Sequence, residues 1–297
     1  MELIHVMGDW HEPAIHLAAS HSTPQVLKSL IQEFERRDVR NAVTARNFPW
    51  EREPLHEAAR YGNLGCLMLL CSELQLHEGG AEQWPLDAAE RTPLHAAAEV
   101  CGNTTILRRL LELGCPIDQQ DINGCTALHC AALTGDTGMA ELLLTWDQQG
   151  GRVNLLTATK SDALGCAARR GQVDMVKLLV TRGANIENRN VTGETAFLLA
   201  VNPDLMRRTG ASGVRWTPDL TERRVAIMEF LVQVGADSTA ADDNGRDALA
   251  QFKTWIQNYN RGRGGYQVEM MRPVGLYLQL LSLSSGQSCI RSSITDH

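Results

Sequence analysis

The sequence repeats one short motif along most of its length. The best copies have the form Leu-His-x-Ala-Ala, and the His or its equivalent stands at positions 16, 56, 95, 129, 165, 198 and 250. The intervals between these positions are 40, 39, 34, 36, 33 and 52 residues. Self-similarity at a period of about 33 residues is typical of repeat architectures, in which each unit packs against its neighbours. The motif therefore predicts a stack of similar units.

The third copy shows why each unit should contain two helices. Thr92 is a good N-cap, and Pro93 suits the first helical position. Gly102 permits a left-handed stop, and Gly114 ends a second apolar stretch. The apolar faces of the two helices comprise Leu94, Ala97, Ala98, Ile106, Leu107, Leu110 and Leu111. Such a hairpin is too small to bury its own apolar face, so the units must stack to be stable.

The period and the Thr-Pro-Leu-His-x-Ala core resemble the ankyrin-repeat family over roughly residues 5 to 281. The resemblance implies an all-α repeat solenoid, built from helix-turn-helix units with short β-hairpin loops. It covers about seven repeats, of which the last is degenerate. In ankyrin-like units the repeated His hydrogen-bonds the loops together.

The pattern also predicts how the chain is organised. We expect one solenoid over residues 1–281, with an insertion between two helices at about 202–224, where Pro203, Gly210, Gly213 and Pro218 stand. Residues 242–281 have lost the His and Ala-Ala core and are expected to form a C-terminal cap. Residues 282–297 are rich in Ser, which predicts a disordered tail.

Composition limits the classes of function. The net charge of −7 argues against broad attraction to nucleic acid or to an anionic membrane, and no apolar run of about 18 residues occurs. The eight Cys are scattered through apolar patterns, which favours reduced thiols. We therefore expect a cytoplasmic or nuclear monomer without a membrane, nucleic-acid or small-molecule partner.

No motif indicates catalysis, a cofactor or a metal site. The repeated His residues lie one unit apart, about 10 Å in a helical stack, which is too far to share an ion at about 2 Å ligand distances. His11 and His16 are five residues apart with Pro13 between them, whereas a zinc-protease helix needs a spacing of four. No phosphate-binding loop or nucleophile elbow is present. We therefore predict that the protein is not an enzyme.

The ankyrin resemblance implies a recognition surface on the concave side, formed by the hairpin tips and the outer ends of the first helices. The positions that match this surface contain seven Arg and three acidic residues. This excess leads to the hypothesis of a groove that binds an acidic or phosphorylated segment through bidentate contacts. Trp50 and Tyr61 could anchor the interface, and Trp216 stands in the predicted insertion. The candidate partner-binding residues are Trp50, Arg52, Arg60, Tyr61, Arg91, Ile122, Asn123, Leu133, Arg169, Arg170, Arg189 and Trp216.

Two functions remain open at this point. The first is a non-catalytic protein-binding scaffold or adaptor. The alternative is a substrate-recognition subunit of a ubiquitin ligase, because some ankyrin proteins end in a helical SOCS box. Here Ser282 and Leu283 are followed by Gln287, where that box requires a small residue or Cys.

Overall fold

The computed structural model describes residues 14–35, 43–76, 84–146, 152–201, 218–260, 274–275 and 277–279. The chain divides into two compact units, Met1–Thr159 and Lys160–His297, which we call unit 1 and unit 2. The described residues form helices and turns and contain no strand. The fold is an all-α repeat solenoid, as the sequence predicted.

The described residues of unit 1 form four helix pairs. The helices are α1 Ala14–His21, α2 Pro24–Glu35, α3 Pro54–Arg60, α4 Leu64–Glu73, α5 Pro93–Ala98, α6 Thr104–Glu112, α7 Ala127–Thr134 and α8 Thr137–Trp146. A 3-10 turn follows at Arg152–Asn154.

In all four pairs of unit 1 the second helix is the longer one, with 9 to 12 residues against 6 to 8 in the first. Buried alanines line the first helices, including Ala58, Ala59, Ala97 and Ala98. Because an alanine side chain is small, neighbouring first helices can approach closely. The leucines of the second helices, such as Leu67 and Leu107, fill the remaining core.

The repeated His fixes the start of α3, α5 and α7. In the third pair the backbone N–H of Thr92 donates to Nδ1 of His95 at 3.2 Å, so Nε2 of the ring holds the proton. That Nε2 donates to the carbonyl of Cys125, in the turn before the next first helix, at 3.0 Å. His56 and His16 make the same contact with the carbonyls of Arg91 and Arg52 at 2.9 and 2.8 Å. The predicted role of the repeated His in joining the loops is confirmed.

Unit 2 begins with two further helix pairs. Its helices are α9 Ala163–Arg170, α10 Val173–Thr181, α11 Ala196–Val201, α12 Pro218–Gln233 and α13 Ala248–Asn260. Asp162 replaces the Thr of the motif before α9 and accepts a hydrogen bond from the backbone N–H of Gly165 at 2.7 Å. An acidic N-cap therefore starts this helix in the absence of a His.

The predicted insertion at 202–224 needs a correction at its end. Residues 202–217 lie outside the described part of the chain, but residues 218–224 form the first turns of α12. The helix extends this far because Leu220, Thr221 and Arg224 are buried at helical spacing. Of the predicted cap, the structure describes α13 and short helical stretches at 274–275 and 277–279. The predicted tail at 282–297 lies outside the described residues.

Candidate partner-binding surface

The turns between helix pairs share one construction. In the turns that begin at residues 47, 87, 121, 190 and 242, the first residue is Asp or Asn, and its side-chain oxygen accepts backbone N–H groups further along the same turn. In the turn 87–91, Asp87 accepts from the N–H groups of Ala89 and Arg91 at 2.9 and 3.0 Å. Asn47, Asp121, Asn190 and Asp242 accept equivalent bonds in their own turns. These bonds hold the turn backbone in a fixed conformation.

Backbone hydrogen bonds also join neighbouring turns. In unit 1 the N–H of Ala88 donates to the carbonyl of Trp50, and the N–H of Ile122 donates to that of Ala89, both at 3.0 Å. Ala158 donates to Asn123 at 2.8 Å in the same manner. We call the turns 47–52, 87–91 and 121–125, with the exposed ends of the first helices beside them, the tip surface of unit 1. Its turns form a continuous bonded row.

Large apolar side chains stand exposed on this row. Phe48 is 70% exposed, Ile122 59% and Trp50 57%. The turn that holds Phe48 and Trp50 runs from Asn47 to Arg52, which is one residue longer than the turn 87–91. Phe48 was not among the predicted residues. The greater length of its turn, one residue more than the turn 87–91, was the signal that could have identified it. Three apolar side chains on a rigid row are suited to contact a partner protein.

The arginines of the tip surface are paired within the chain. Arg52 is only 6% exposed, and its guanidinium lies 3.8 Å from Glu57, 3.5 Å from Asp87 and 3.4 Å from Glu99. Arg91 pairs with Asp87 at 2.8 Å and also with Glu99. Arg60 pairs with Glu99 at 3.2 Å. Three cations therefore meet three anions, and the network has no formal net charge.

This network corrects the predicted basic groove in unit 1. Arg52 and Arg91 were expected to face a partner. Arg52 is instead buried, and the guanidinium groups of both residues pair with acidic side chains of the same chain. Arg60 is partly exposed and also has an internal partner in Glu99. The count of arginines at the matching positions therefore overstated the positive charge that a partner can reach. The acidic residues of this network belong to two different repeats. Counting arginines one repeat at a time does not reveal such pairs between repeats.

The other predicted residues of unit 1 lie on the tip surface. Tyr61 is exposed at the end of α3, with its ring centroid 4.7 Å from that of His21. Asn123 is exposed next to Ile122, and Leu133 is half-buried near the end of α7. The Arg52 guanidinium lies 5.8 Å from the centroid of the Trp50 ring, so a cation-π contact links the exposed aromatic to the buried network.

Unit 2 presents its arginines differently. Arg170 is exposed and Arg169 is half-buried at the end of α9, and neither pairs with a carboxylate among the described residues. Arg189 is exposed and donates to the carbonyls of Gly193 and Ala241 at 3.0 and 2.7 Å. Trp216 lies outside the described residues. Among the described candidate cations of unit 2, Arg169 and Arg170 thus contact no carboxylate, and Arg189 contacts backbone carbonyls.

One carboxyl group in unit 1 is buried at a helix start. Glu53 occupies the N-cap of α3, where the next two pairs have Thr92 and Thr126. Burial raises the pKa of Glu53 to about 7, against the opposing effect of Arg46, whose Nε lies 3.9 Å from the carboxylate. The unfolded chain, with a pKa near 4.5, loses this proton first as the pH rises. The fold therefore loses stability between about pH 4.5 and 7.

Replacing Glu53 with glutamine is expected to stabilise the chain by about 1–3 kcal/mol at pH 8, because no buried charge then forms. Near pH 4 the gain should vanish, since the carboxyl group is then protonated in both states. Urea unfolding of both proteins at the two pH values measures the difference. Glu51→Gln is the control, because Glu51 is exposed and also contacts Arg46. An equal gain at both pH values would contradict the prediction.

The helix pairs and their bonded turns define a helical repeat protein. The family model described as "Ankyrin repeats (3 copies)" matches residues 73–155, and the one described as "Ankyrin repeat" matches residues 162–191. The fold matches the crystal structure of the ankyrin repeat domain of Bcl-3 with a TM-score of 0.56 and 21% identity, over 81% of this chain and 93% of that one. The chain is an ankyrin-repeat protein, as its motif predicted.

Curated relatives resemble part of the chain. A transient receptor potential cation channel subfamily A member 1 homolog of Caenorhabditis elegans is 27% identical over 55% of this chain and 14% of its own length. The ankyrin repeat domain-containing protein SAT10 of Stachybotrys chartarum is 31% identical over 50% of this chain and 9% of its own. A putative palmitoyltransferase of Danio rerio is 31% identical over 50% of this chain and 22% of its own. The chain thus spans less than a quarter of each of these relatives.

Among the described residues, no group of three His, Cys, Asp or Glu side chains is arranged to hold a metal ion. Within the same part of the chain, every helix is too short or too polar to cross a membrane. Ankyrin repeats are a protein-interaction module, and stacked repeats generally bind through extended surfaces.

Proposed function

We propose that the chain is a non-catalytic scaffold or adaptor that binds a protein partner through the turns and first-helix ends of its repeats. The observation that supports this most strongly is the exposure of Phe48, Trp50 and Ile122 on turns whose backbone is already bonded. Ordering these side chains on binding costs little backbone entropy, because the turns are fixed beforehand. Aromatic residues in such places are frequent anchors of interfaces.

We also propose a cytoplasmic or nuclear location for the protein. Cys66, Cys71, Cys115 and Cys166 are buried as free thiols, which suits a reducing compartment. The alternative of a ubiquitin-ligase subunit depends on residues 282–297, outside the described part of the chain, and it stays a prediction.

We propose that the acidic or phosphorylated segment of a partner binds to unit 2. Arg169 and Arg170 have no carboxylate partner among the described residues, whereas Arg52, Arg60 and Arg91 do. A guanidinium without an internal acid can make bidentate bonds to a carboxylate or phosphate. We therefore propose that the segment binds at the end of α9.

Affinity capture from a cell lysate tests the proposal with two double variants. Phe48→Ser with Trp50→Ser should lose the partner, because the apolar anchors are gone. Arg169→Glu with Arg170→Glu should lose a partner that has an acidic segment. The matched controls lie on second helices: Trp146→Ser, and Arg108→Glu with Arg109→Glu. If both double variants retained every partner that the unmodified chain captures, the binding surface would have to lie elsewhere.

A further inference from the structure

Asparagine is followed by glycine at two places in the sequence, Asn123-Gly124 and Asn244-Gly245. Asparagine is a thermolabile residue, and a following glycine favours loss of its side-chain amide, because no Cβ obstructs attack by the next backbone nitrogen. Both pairs lie in turns of the shared construction, and both asparagine side chains are exposed. The same residue type reacts in both turns, so their surroundings can be compared directly.

The reaction needs only water as a co-reactant. The backbone nitrogen of the glycine attacks Cγ of the asparagine, an N–C bond forms, and a five-membered succinimide ring closes. The bond from Cγ to Nδ2 breaks, and ammonia leaves with the proton that the backbone nitrogen loses. Water then opens the ring at either carbonyl, which gives aspartate or isoaspartate and releases one proton. The ring can close only when the backbone rotates to bring the nitrogen to Cγ.

Within the two turns the backbone is held in the same way. The N–H of Asn123 donates to Oδ1 of Asp121 at 2.8 Å, and the N–H of Asn244 donates to Oδ1 of Asp242 at 2.9 Å. Each following glycine donates its N–H to the carbonyl of that aspartate at 2.8 Å. The glycines also share a left-handed conformation, with φ of +74° and +70°. Bonds inside the turn therefore do not distinguish the two asparagines.

The turn at Asn123 is also held from outside. The N–H of Ala158, in the following turn, donates to the carbonyl of Asn123 at 2.8 Å, and Nε2 of Gln120 donates to that of Gly124 at 3.1 Å. A Cβ placed on Gly124 would lie 2.6 Å from the nitrogen of Ala158, so the following turn packs directly against it. Rotation of the backbone at Asn123 must break these contacts.

The turn at Asn244 has no such neighbour on this side in the part of the chain that the structure describes. Gly245 is exposed, and a Cβ placed on it would meet no atom within 4 Å. The carbonyls of Asn244 and Gly245 accept no hydrogen bond from the described residues. One net hydrogen bond slows a local opening by about two- to tenfold, so the contacts at Asn123 should together slow its reaction about tenfold or more.

We propose that Asn244 is a site of spontaneous deamidation in the folded protein, whereas the turn that follows Asn123 protects that residue. The product adds a negative charge to a turn that already contains Asp242 and Asp243. Its isoaspartate form also lengthens the backbone of the turn by one methylene. The change accumulates with the age of the molecule and requires no enzyme. It is independent of the proposed function.

Incubation of the purified full chain in mildly alkaline water labelled with heavy oxygen tests the proposal. Water that opens the succinimide leaves the label in the new carboxyl group, which separates this reaction from earlier damage. Trypsin then releases peptides 225–246 and 110–152, in which Asn244 and Asn123 are the only asparagines. Mass spectrometry should find the label at residue 244 at least about tenfold faster than at residue 123. In urea the two residues should react at similar rates, because the protecting contacts are lost.

Two matched variants identify the charged product in the intact chain. Ion-exchange chromatography should show a more acidic form that grows during incubation. Asn244→Gln should remove this form, because glutamine would have to close a larger ring, and Asn123→Gln should leave it unchanged. Three results would overturn the proposal: no label at residue 244, equal rates at both residues in the folded chain, or an equally large difference in urea. The last result would assign the difference to local sequence rather than to the fold.

Discussion

Replacing Arg224 with methionine is expected to lower the free energy of unfolding by about 3–5 kcal/mol. Arg224 is 1% exposed on α12, and its guanidinium donates to the carbonyls of Ala200 and Arg169 at 2.6 and 2.8 Å. These carbonyls stand in the last turns of α11 and α9, at the negative ends of the helix dipoles. Burial lowers the pKa of Arg224 to about 10, so the side chain is still charged at pH 7. Methionine fills similar space but leaves these buried carbonyls without the guanidinium.

Urea titration followed by circular dichroism measures this loss. The stability of Arg224→Lys should lie between those of the unmodified chain and Arg224→Met. Lysine keeps the charge, but it has fewer donors and lacks the fixed fork of a guanidinium. Arg223→Met is the control on the exposed side of the same helix and should cost less than about 1 kcal/mol. If Arg224→Met and Arg223→Met unfolded at the same urea concentration, the carbonyl bonds would contribute nothing to stability.

Replacing Asp87 with alanine is expected to cost about 3–5 kcal/mol in unit 1. The side chain is almost fully buried, holds the turn 87–91 through the N–H groups of Ala89 and Arg91, and faces Arg52. Its removal leaves the buried Arg52 guanidinium with fewer acids and the turn without its central acceptor. Burial alone would raise the pKa of Asp87, but the hydrogen bonds from Arg91 hold it below the usual 3.8. This contribution is therefore present at neutral pH and is lost as the pH falls through that lowered value.

Asp118→Ala is the matched control for Asp87→Ala. It also removes an aspartate from an ion pair, with Arg152, but Asp118 is about half exposed. Because water reaches this half-exposed carboxylate, the pair contributes about 0–1 kcal/mol, and this variant should unfold close to the unmodified chain. Both variants are compared by urea unfolding at pH 7. If Asp87→Ala and Asp118→Ala were equally destabilised, burial of the ion-pair network would add nothing to the free energy of unfolding.

The helix pairs of this chain were predictable because their signals are local. Thr92 and Thr126 stand before short alanine-rich runs, and the His three residues later completes the start of each helix. The end of the insertion was not predicted, because a charged residue at position 224 interrupts the apolar pattern of α12. What buries that arginine is a set of carbonyls from α9 and α11, far away in the sequence.

The exposure of three candidate residues was predictable from the sequence, whereas the ion pairs of the arginines were not. Trp50, Tyr61 and Ile122 are exposed as expected, because repeat register alone places them on turns or helix ends. The burial of Arg52 depends on Asp87 and Glu99, which belong to the next repeat. Pairing between repeats cannot be derived from one repeat at a time. The charge of the surface therefore required the three-dimensional arrangement.

The His contacts give unit 1 a direction. The rings of His56 and His95 are each held between the start of their own first helix and a carbonyl of the following turn, as His56 is between Glu53 and Arg91. When a following repeat detaches, the ring behind it loses its acceptor but stays bonded to the backbone N–H at the start of its own helix. When a preceding repeat detaches, only a turn carbonyl is exposed, and water can solvate it. Fraying from the two ends of the stack is therefore unequal in cost, and each repeat supports the one before it more than the one after.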